Sequence, residues 1–257
     1  MILPVNGAAF DVIQEGHGPD LVLLHSLLTD RTVFDGIVPA LARRRRLTLP
    51  NLPGFGASAP AGPRIEDYAD RIAALLDALA LPAATDVIAM SFGGFVGIAL
   101  AARHGARLGR FVLVDTAAAF PEPAKVPLRG MAVRALRDGM SAVVDTAVRR
   151  MFTEGFIAAH PEIVQERAAV LLRAEPSCFA TACRALADLD LRPALREIRN
   201  PALVVVGALD ATTPPALAHE LAAGLAGARL VEIPDCAHCP PLEKPAEFLA
   251  AVEPFLT

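Results

Sequence analysis

The stretch "VIAMSFGGFVG" (87–97) places Ser91 between two apolar runs of different character. The run before it, "DVIAM" (86–90), is apolar on successive residues, as a strand buried on both faces of a parallel sheet should be. The run after it is small, glycine-rich and of helical type. A strand that passes directly into a helix must turn sharply, and a serine at that turn is left strained and exposed, as in the Gly-x-Ser-x-Gly elbow. Here the five residues are Ala89-Met90-Ser91-Phe92-Gly93. Residues two before and two after the serine approach each other in such a turn, so both must be small. Gly93 meets this outright, and Ala89 adds one methyl group. The plain alternative is an ordinary serine opening a buried helix.

Working outward, further β-type runs recur: "LVLLH" (21–25), "RLTLP" (46–50), "RFVLV" (110–114), "ALVVV" (202–206) and "RLVEI" (229–233). Between two of them, Ile65, Tyr68, Ile72, Leu75, Leu76 and Leu79 fall at helical spacing, with Glu66 and Asp67 in the first turn. The first twenty residues read as a hairpin around Asn6-Gly7, a dipeptide suited to a type I′ turn. The alternation of strand and helix predicts an α/β fold with a mainly parallel sheet. It lapses from Phe120 onward. There "FPEPAKVP" leads into a wholly helical stretch, read as a helical cap over 120–191 between core segments 1–119 and 192–257. Such an insertion would lie over the carboxyl ends of the strands, where open α/β sheets bind ligands.

Composition narrows the function. Of 257 residues, 54% are hydrophobic and 20% charged, and the net charge is −4, so the chain is globular and not a nucleic-acid binder. The cluster Arg43-Arg44-Arg45-Arg46 reads as the solvated last turn of a helix. No cleavable leader pattern opens the sequence, and the uncharged stretch 87–102 is shorter than the roughly 20 residues that span a bilayer. A soluble cytoplasmic protein with no membrane partner is expected, and assembly into a homo-oligomer is left open. "CAHC" (236–239) invites a zinc reading. The only other cysteine pair, Cys178 and Cys183, sits in a helical stretch as small apolar residues, so neither zinc nor a disulfide is expected. "GFGASA" (54–59) has the spacing of a dinucleotide fingerprint, but Pro60, Gly62 and Pro63 allow no helix to open there, and no cofactor is expected.

Two further loops could serve Ser91. After "ALVVV" comes Asp210 in "GALDATTPP", on the ligand-binding edge of such a sheet, with helix capping as its plain alternative. After "RLVEI" comes His238 in "IPDCAHCPPLEKP". Histidine can take a proton from a hydroxyl near neutral pH while a carboxylate holds its tautomer. Each residue alone is weak, but Ser91, Asp210 and His238 occur in that order, each just after an expected strand. Asp115, ending "RFVLVD", is an alternative acid. His25 reads as structural, and His104 as the end of the helix after Ser91.

Over nearly its whole length the sequence resembles the α/β-hydrolase superfamily, in "LVLLHSLLTD", "NLPGFGASAP", "VIAMSFGGFVG", "LVVVGALDATTPP" and "AHCPPLEKP". The resemblance implies a doubly wound core with a helical cap, Ser91 as nucleophile, Asp210 as acid and His238 as base. "HSLLTD" and "DATTPP" are similar to the 3-oxoadipate enol-lactonase group, whereas "LPGFG" is nearer carbon–carbon bond hydrolases and general esterases. Two departures stand out. His25-Ser26 replaces the superfamily's His-Gly, and Ala89 replaces the first elbow glycine. Serine is less suited than glycine to a positive φ in the loop that supplies the oxyanion hole. By position, the backbone N–H groups of Leu27 and Phe92 should bind the oxyanion. The expected activity is cofactor-independent hydrolysis of a small ester or lactone. Cleavage of a carbon–carbon bond in a dienoic acid and ligand binding without catalysis are the alternatives.

Overall fold

The apolar runs become strands of one eight-stranded sheet in the computed structural model, with "RLVEI" at its edge and the others inside, and the structure describes every residue from Met1 to Thr257. The strands are β1 (Ile2–Val5), β2 (Ala8–Gly16), β3 (Asp20–Leu24), β4 (Arg46–Pro50), β5 (Thr85–Met90), β6 (Leu108–Val114), β7 (Ala202–Gly207) and β8 (Arg229–Ile233). Their spatial order is β1-β2-β4-β3-β5-β6-β7-β8. β2 runs antiparallel to both neighbours, and every pair from β4 to β8 is parallel. The turn joining β1 to β2 holds both Asn6 and Gly7 at positive φ, 49° and 77°, as a type I′ turn requires. β5 and β7, in the middle of the parallel part, are buried at every residue, which is why their sequences do not alternate.

The helices are α1 (Val38–Leu41), α2 (Ile65–Ala78), α3 (Phe92–His104), α4 (Glu122–Asp138), α5 (Ser141–Arg149), α6 (Glu154–Ala159), α7 (Pro161–Leu172), α8 (Pro176–Asp188), α9 (Pro215–Gly224), α10 (Pro240–Glu243) and α11 (Pro245–Leu256). α3 is buried from Phe92 to Ala101 and packs on β5 and α2. α2 turns Ile65, Tyr68, Ile72, Leu75 and Leu76 inward, while Asp67 accepts the Arg64 N–H at 2.9 Å and closes the first turn.

Five helices, α4 to α8, separate β6 from β7. The two ends of this excursion are pinned together: Ala119 pairs with Asp190, and Leu191 N–H donates to the Ala118 carbonyl at 2.8 Å. Within it, α4 packs along α8, and α5 packs against α4 and α7.

The arginine cluster departs from the solvated turn expected of it. α1 ends at Leu41, so residues 43–46 are not its last turn. Arg43 and Arg44 face water, but Arg45 is buried. Its guanidinium meets Asp86 at 2.6 Å and the Leu256 carbonyl at 2.5 Å. A buried carboxylate at the start of β5 requires such a cation. Arg46 forks onto Asp20 at 2.7 and 2.9 Å.

Candidate active site

Ser91 sits at the junction of β5 and α3 with φ 50° and ψ −114°. A non-glycine residue rarely adopts this conformation, and it holds only where surrounding structure enforces it. The Ser91 N–H donates to the Val114 carbonyl at 2.8 Å, and the Ser91 carbonyl accepts the Thr116 hydroxyl at 3.1 Å. A Cβ at position 93 would stand 2.4 Å from the Leu24 carbonyl oxygen, so glycine is required there by the end of β3. The Ala89 methyl and the Phe111 ring both pack against Gly97, where an added Cβ would approach them to 3.0 and 2.8 Å.

The three residues singled out from the sequence converge. The Ser91 hydroxyl lies 2.8 Å from His238 Nε2, and His238 Nδ1 lies 2.7 Å from Asp210 Oδ2. A proton on Nδ1, donated to the carboxylate, leaves Nε2 free to accept from the serine. Asp210 is held by three more donors: the N–H groups of Thr212 (2.7 Å) and Thr213 (3.0 Å) on Oδ1, and the Thr213 hydroxyl (2.7 Å) on Oδ2. Burial by itself would raise this carboxyl. The charge of His238 and the hydrogen bonds from His238 and Thr213 outweigh it and leave the group below the usual aspartate value.

Asp115, the alternative acid, does not face the imidazole in this way. Its Oδ1 accepts the Gly207 N–H at 2.9 Å. Thr213 and Glu243 were not anticipated as part of the site. Thr213 was legible only as part of "DATTPP", and nothing in the sequence marks Glu243, which joins Ala237 six residues away to Thr153 ninety residues away.

The loop after β3 brings Leu27 to the same place. The N–H groups of Leu27 and Phe92 have no protein acceptor, and Phe92 opens α3, whose N-terminus favours an anion. Ser26 is not at positive φ, so the loop does not call on the freedom that glycine would have brought. His25 organises this loop: Nδ1 donates to the Ser26 carbonyl at 2.8 Å and Nε2 accepts the Leu52 N–H at 2.9 Å. Burial lowers its pKa to about 4. With both nitrogens engaged, His25 has no free site for a proton from substrate.

A model of the alpha/beta hydrolase family matches residues 21–252. The chain belongs to the α/β-hydrolase family. It is 33% identical over 237 residues to 3-oxoadipate enol-lactonase 2 of Acinetobacter baylyi, covering 91% of this chain and 87% of that one. It is 33% identical over 247 residues to a pimeloyl-[acyl-carrier protein] methyl ester esterase of Aromatoleum aromaticum, covering 91% and 97%. Among solved structures, the enol-lactonase from Burkholderia xenovorans LB400 superposes with a TM-score of 0.93 at 34% identity, covering 100% of this chain and 99% of that chain.

In this α/β-hydrolase, α4, α5 and α8 of the insertion face the loops that follow β3, β7 and β8. Between them lies a narrow cavity, with about 50 Å³ open to a water-sized molecule, that reaches Ser91 and His238. Leu27, Phe95, Phe120, Leu128, Met131 and Leu186 make its walls apolar. Arg150, exposed just beyond α5, is the one cation lining it, and it makes no ion pair. Arg167 of α7 is the deeply buried arginine of the insertion, but it points elsewhere, to the hydroxyls of Thr29 (3.2 Å) and Thr32 (2.8 Å). No helix is long and apolar enough to cross a membrane.

Proposed function

We propose that the protein is a serine hydrolase that cleaves a small, carboxylate-bearing ester or lactone through an acyl-enzyme on Ser91. The observation that carries this reading is the hydrogen-bonded line from Ser91 Oγ through His238 to Asp210 at the floor of an apolar cavity. Ser91 Oγ attacks the substrate carbonyl as His238 Nε2 takes its proton. Asp210 orients the imidazole and stabilises its cation, and the Leu27 and Phe92 N–H groups hold the oxyanion. Protonated His238 then gives its proton to the leaving oxygen. In a lactone that oxygen stays attached to the acyl chain. Water, activated by His238, attacks the acyl-enzyme and frees the acid and Ser91. No cofactor enters the cycle.

Two features support the substrate class. The relatives' names carry a lactone and a methyl ester, both of which contain an acyl–oxygen bond. Arg150, unpaired beside apolar walls, offers the forked cation that a substrate carboxylate would pair with. Helices α4 to α8 act as the cap that sets acyl size.

A fluorophosphonate should label the native protein at Ser91 and leave Ser91→Ala unlabelled and inactive. A panel of p-nitrophenyl esters, lactones and a dienoic ring-fission product should show turnover of the first two. Turnover of the dienoic acid alone would replace this reading with carbon–carbon cleavage, and absence of labelling would replace it with ligand binding.

A further inference from the structure

A second carboxyl is buried behind the Asp210–His238 pair. Asp115 follows β6 directly, is 0% exposed and holds φ at 45°. Its N–H donates to the Val205 carbonyl at 2.9 Å, and its Oδ1 accepts the Gly207 N–H at 2.9 Å, so it is fastened twice to β7, the strand that leads to Asp210. Its Oδ2 is out of water and meets no donor. Carboxyl oxygens of Asp115 and Asp210 and a ring nitrogen of His238 all lie within 4.8 Å of one another.

Two carboxylates this close and this dry cannot both be ionised against one imidazole. The charge settles where the donors are. Asp210 receives four hydrogen bonds, and Asp115 receives one. The other titratable groups facing Asp115 are His238, Cys236 and Cys239 on the loop after β8, and Glu243 on α10. None of them is a permanent cation. Burial first, and the charge of Asp210 second, hold the Asp115 carboxyl well above the usual aspartate range, with only the Gly207 N–H pulling against them.

We propose that Asp115 is a positioning residue, a neutral carboxylic acid whose Oδ2 hydroxyl donates to the Asp210 carboxylate. This assignment rests on the triad reading above and adds to it a buried proton that takes no part in turnover. It turns the unpartnered Oδ2 into a donor, as buried polar atoms require. It also gives Asp210 a further hold and keeps the negative charge of the triad on one carboxylate. Asp115 therefore acts through Asp210 and touches no substrate.

Infrared spectroscopy tests the proton directly. Wild-type protein at neutral pH should show the C=O stretch of a protonated aspartic acid, shifted by ¹³C-aspartate labelling and missing in Asp115→Asn. Kinetics test the role. Asp115→Leu leaves the Gly207 N–H unpaired and removes the donor to Asp210, and should lose about tenfold to a hundredfold, mainly in kcat. Asp115→Asn keeps an acceptor and a donor and should recover activity to within about threefold of wild type. It should also lose any alkaline inflection that ionisation of Asp115 imposes on kcat/KM.

A wild-type spectrum without the protonated band, or an Asp115→Asn enzyme as crippled as Asp210→Asn, would overturn the proposal. The infrared arm on wild type holds even where Asp115→Leu fails to fold. Activity persisting in Ser91→Ala would sink the triad reading. An inactive Ser91→Ala combined with a missing band would sink only the role given to Asp115.

Discussion

Glu243 Oε1 accepts both the N–H of Thr153 at 3.0 Å and its hydroxyl at 2.5 Å, joining α10 to the start of α6 in the inserted helices. The other oxygen of Glu243 accepts the N–H of Ala237, the residue before His238, at 2.8 Å. One buried carboxylate thus ties the histidine loop to the insertion, next to the segment that carries Arg150. Glu243→Ala leaves the three donors unpaired and should cost about 2–4 kcal/mol of stability. If the loop's position matters to His238, kcat should fall more than KM rises. Denaturant unfolding and steady-state kinetics on one neutral ester check both, and a variant with unchanged kcat would make the tie purely structural.

The backbone strain at Ser91 predicts a gain where function is lost. Glycine adopts φ 50° and ψ −114° without a Cβ penalty. Ser91→Gly should therefore be inactive and yet more stable than wild type by about 1–3 kcal/mol, the usual worth of such strain. Thermal unfolding of the two proteins side by side measures it. A lower melting temperature in the variant would show that the Ser91 hydroxyl contributes more than the turn costs.

His25 predicts acid lability. Its pKa is lowered to about 4 by burial, whereas in the unfolded chain it protonates near the ordinary value of about 6.5. Between these values the unfolded state binds more protons than the folded state. Stability is complete above the upper value and falls as pH drops toward the lower one, by about 1.4 kcal/mol per unit. Denaturation midpoints across that window should show the slope. In His25→Gln the slope should be shallower by one proton.

Arg150→Met should raise KM about tenfold for esters with a carboxylate on the acyl chain, the worth of one charge-assisted hydrogen bond at an open site, and spare neutral esters. Replacing Arg129, already engaged by Asp188 at 3.2 Å, should change neither. Equal kinetics of Arg150→Met on charged and neutral substrates would leave a plain esterase.

The chain by itself determined the α/β alternation, the hairpin at Asn6-Gly7, the helical break between β6 and β7, and the order Ser91, Asp210, His238. All of these are local: side-chain period, turn chemistry and position just after a strand can be read within a short window. Tertiary structure decided what depends on partners far apart in sequence. It placed Asp210 rather than Asp115 against the imidazole, because the loop after β7 carries Asp210 past the strand end while Asp115 is fastened back to Gly207. It set Gly97 against the Ala89 methyl. It drew Arg45 inside to meet Asp86, and it separated Arg150 at the cavity from Arg167 beside Thr32. Arginine side chains read alike in a sequence. Whether one faces water, a carboxylate or a cavity is fixed by what the fold packs next to it, because burying a charge is tolerated only where a partner is already held in place.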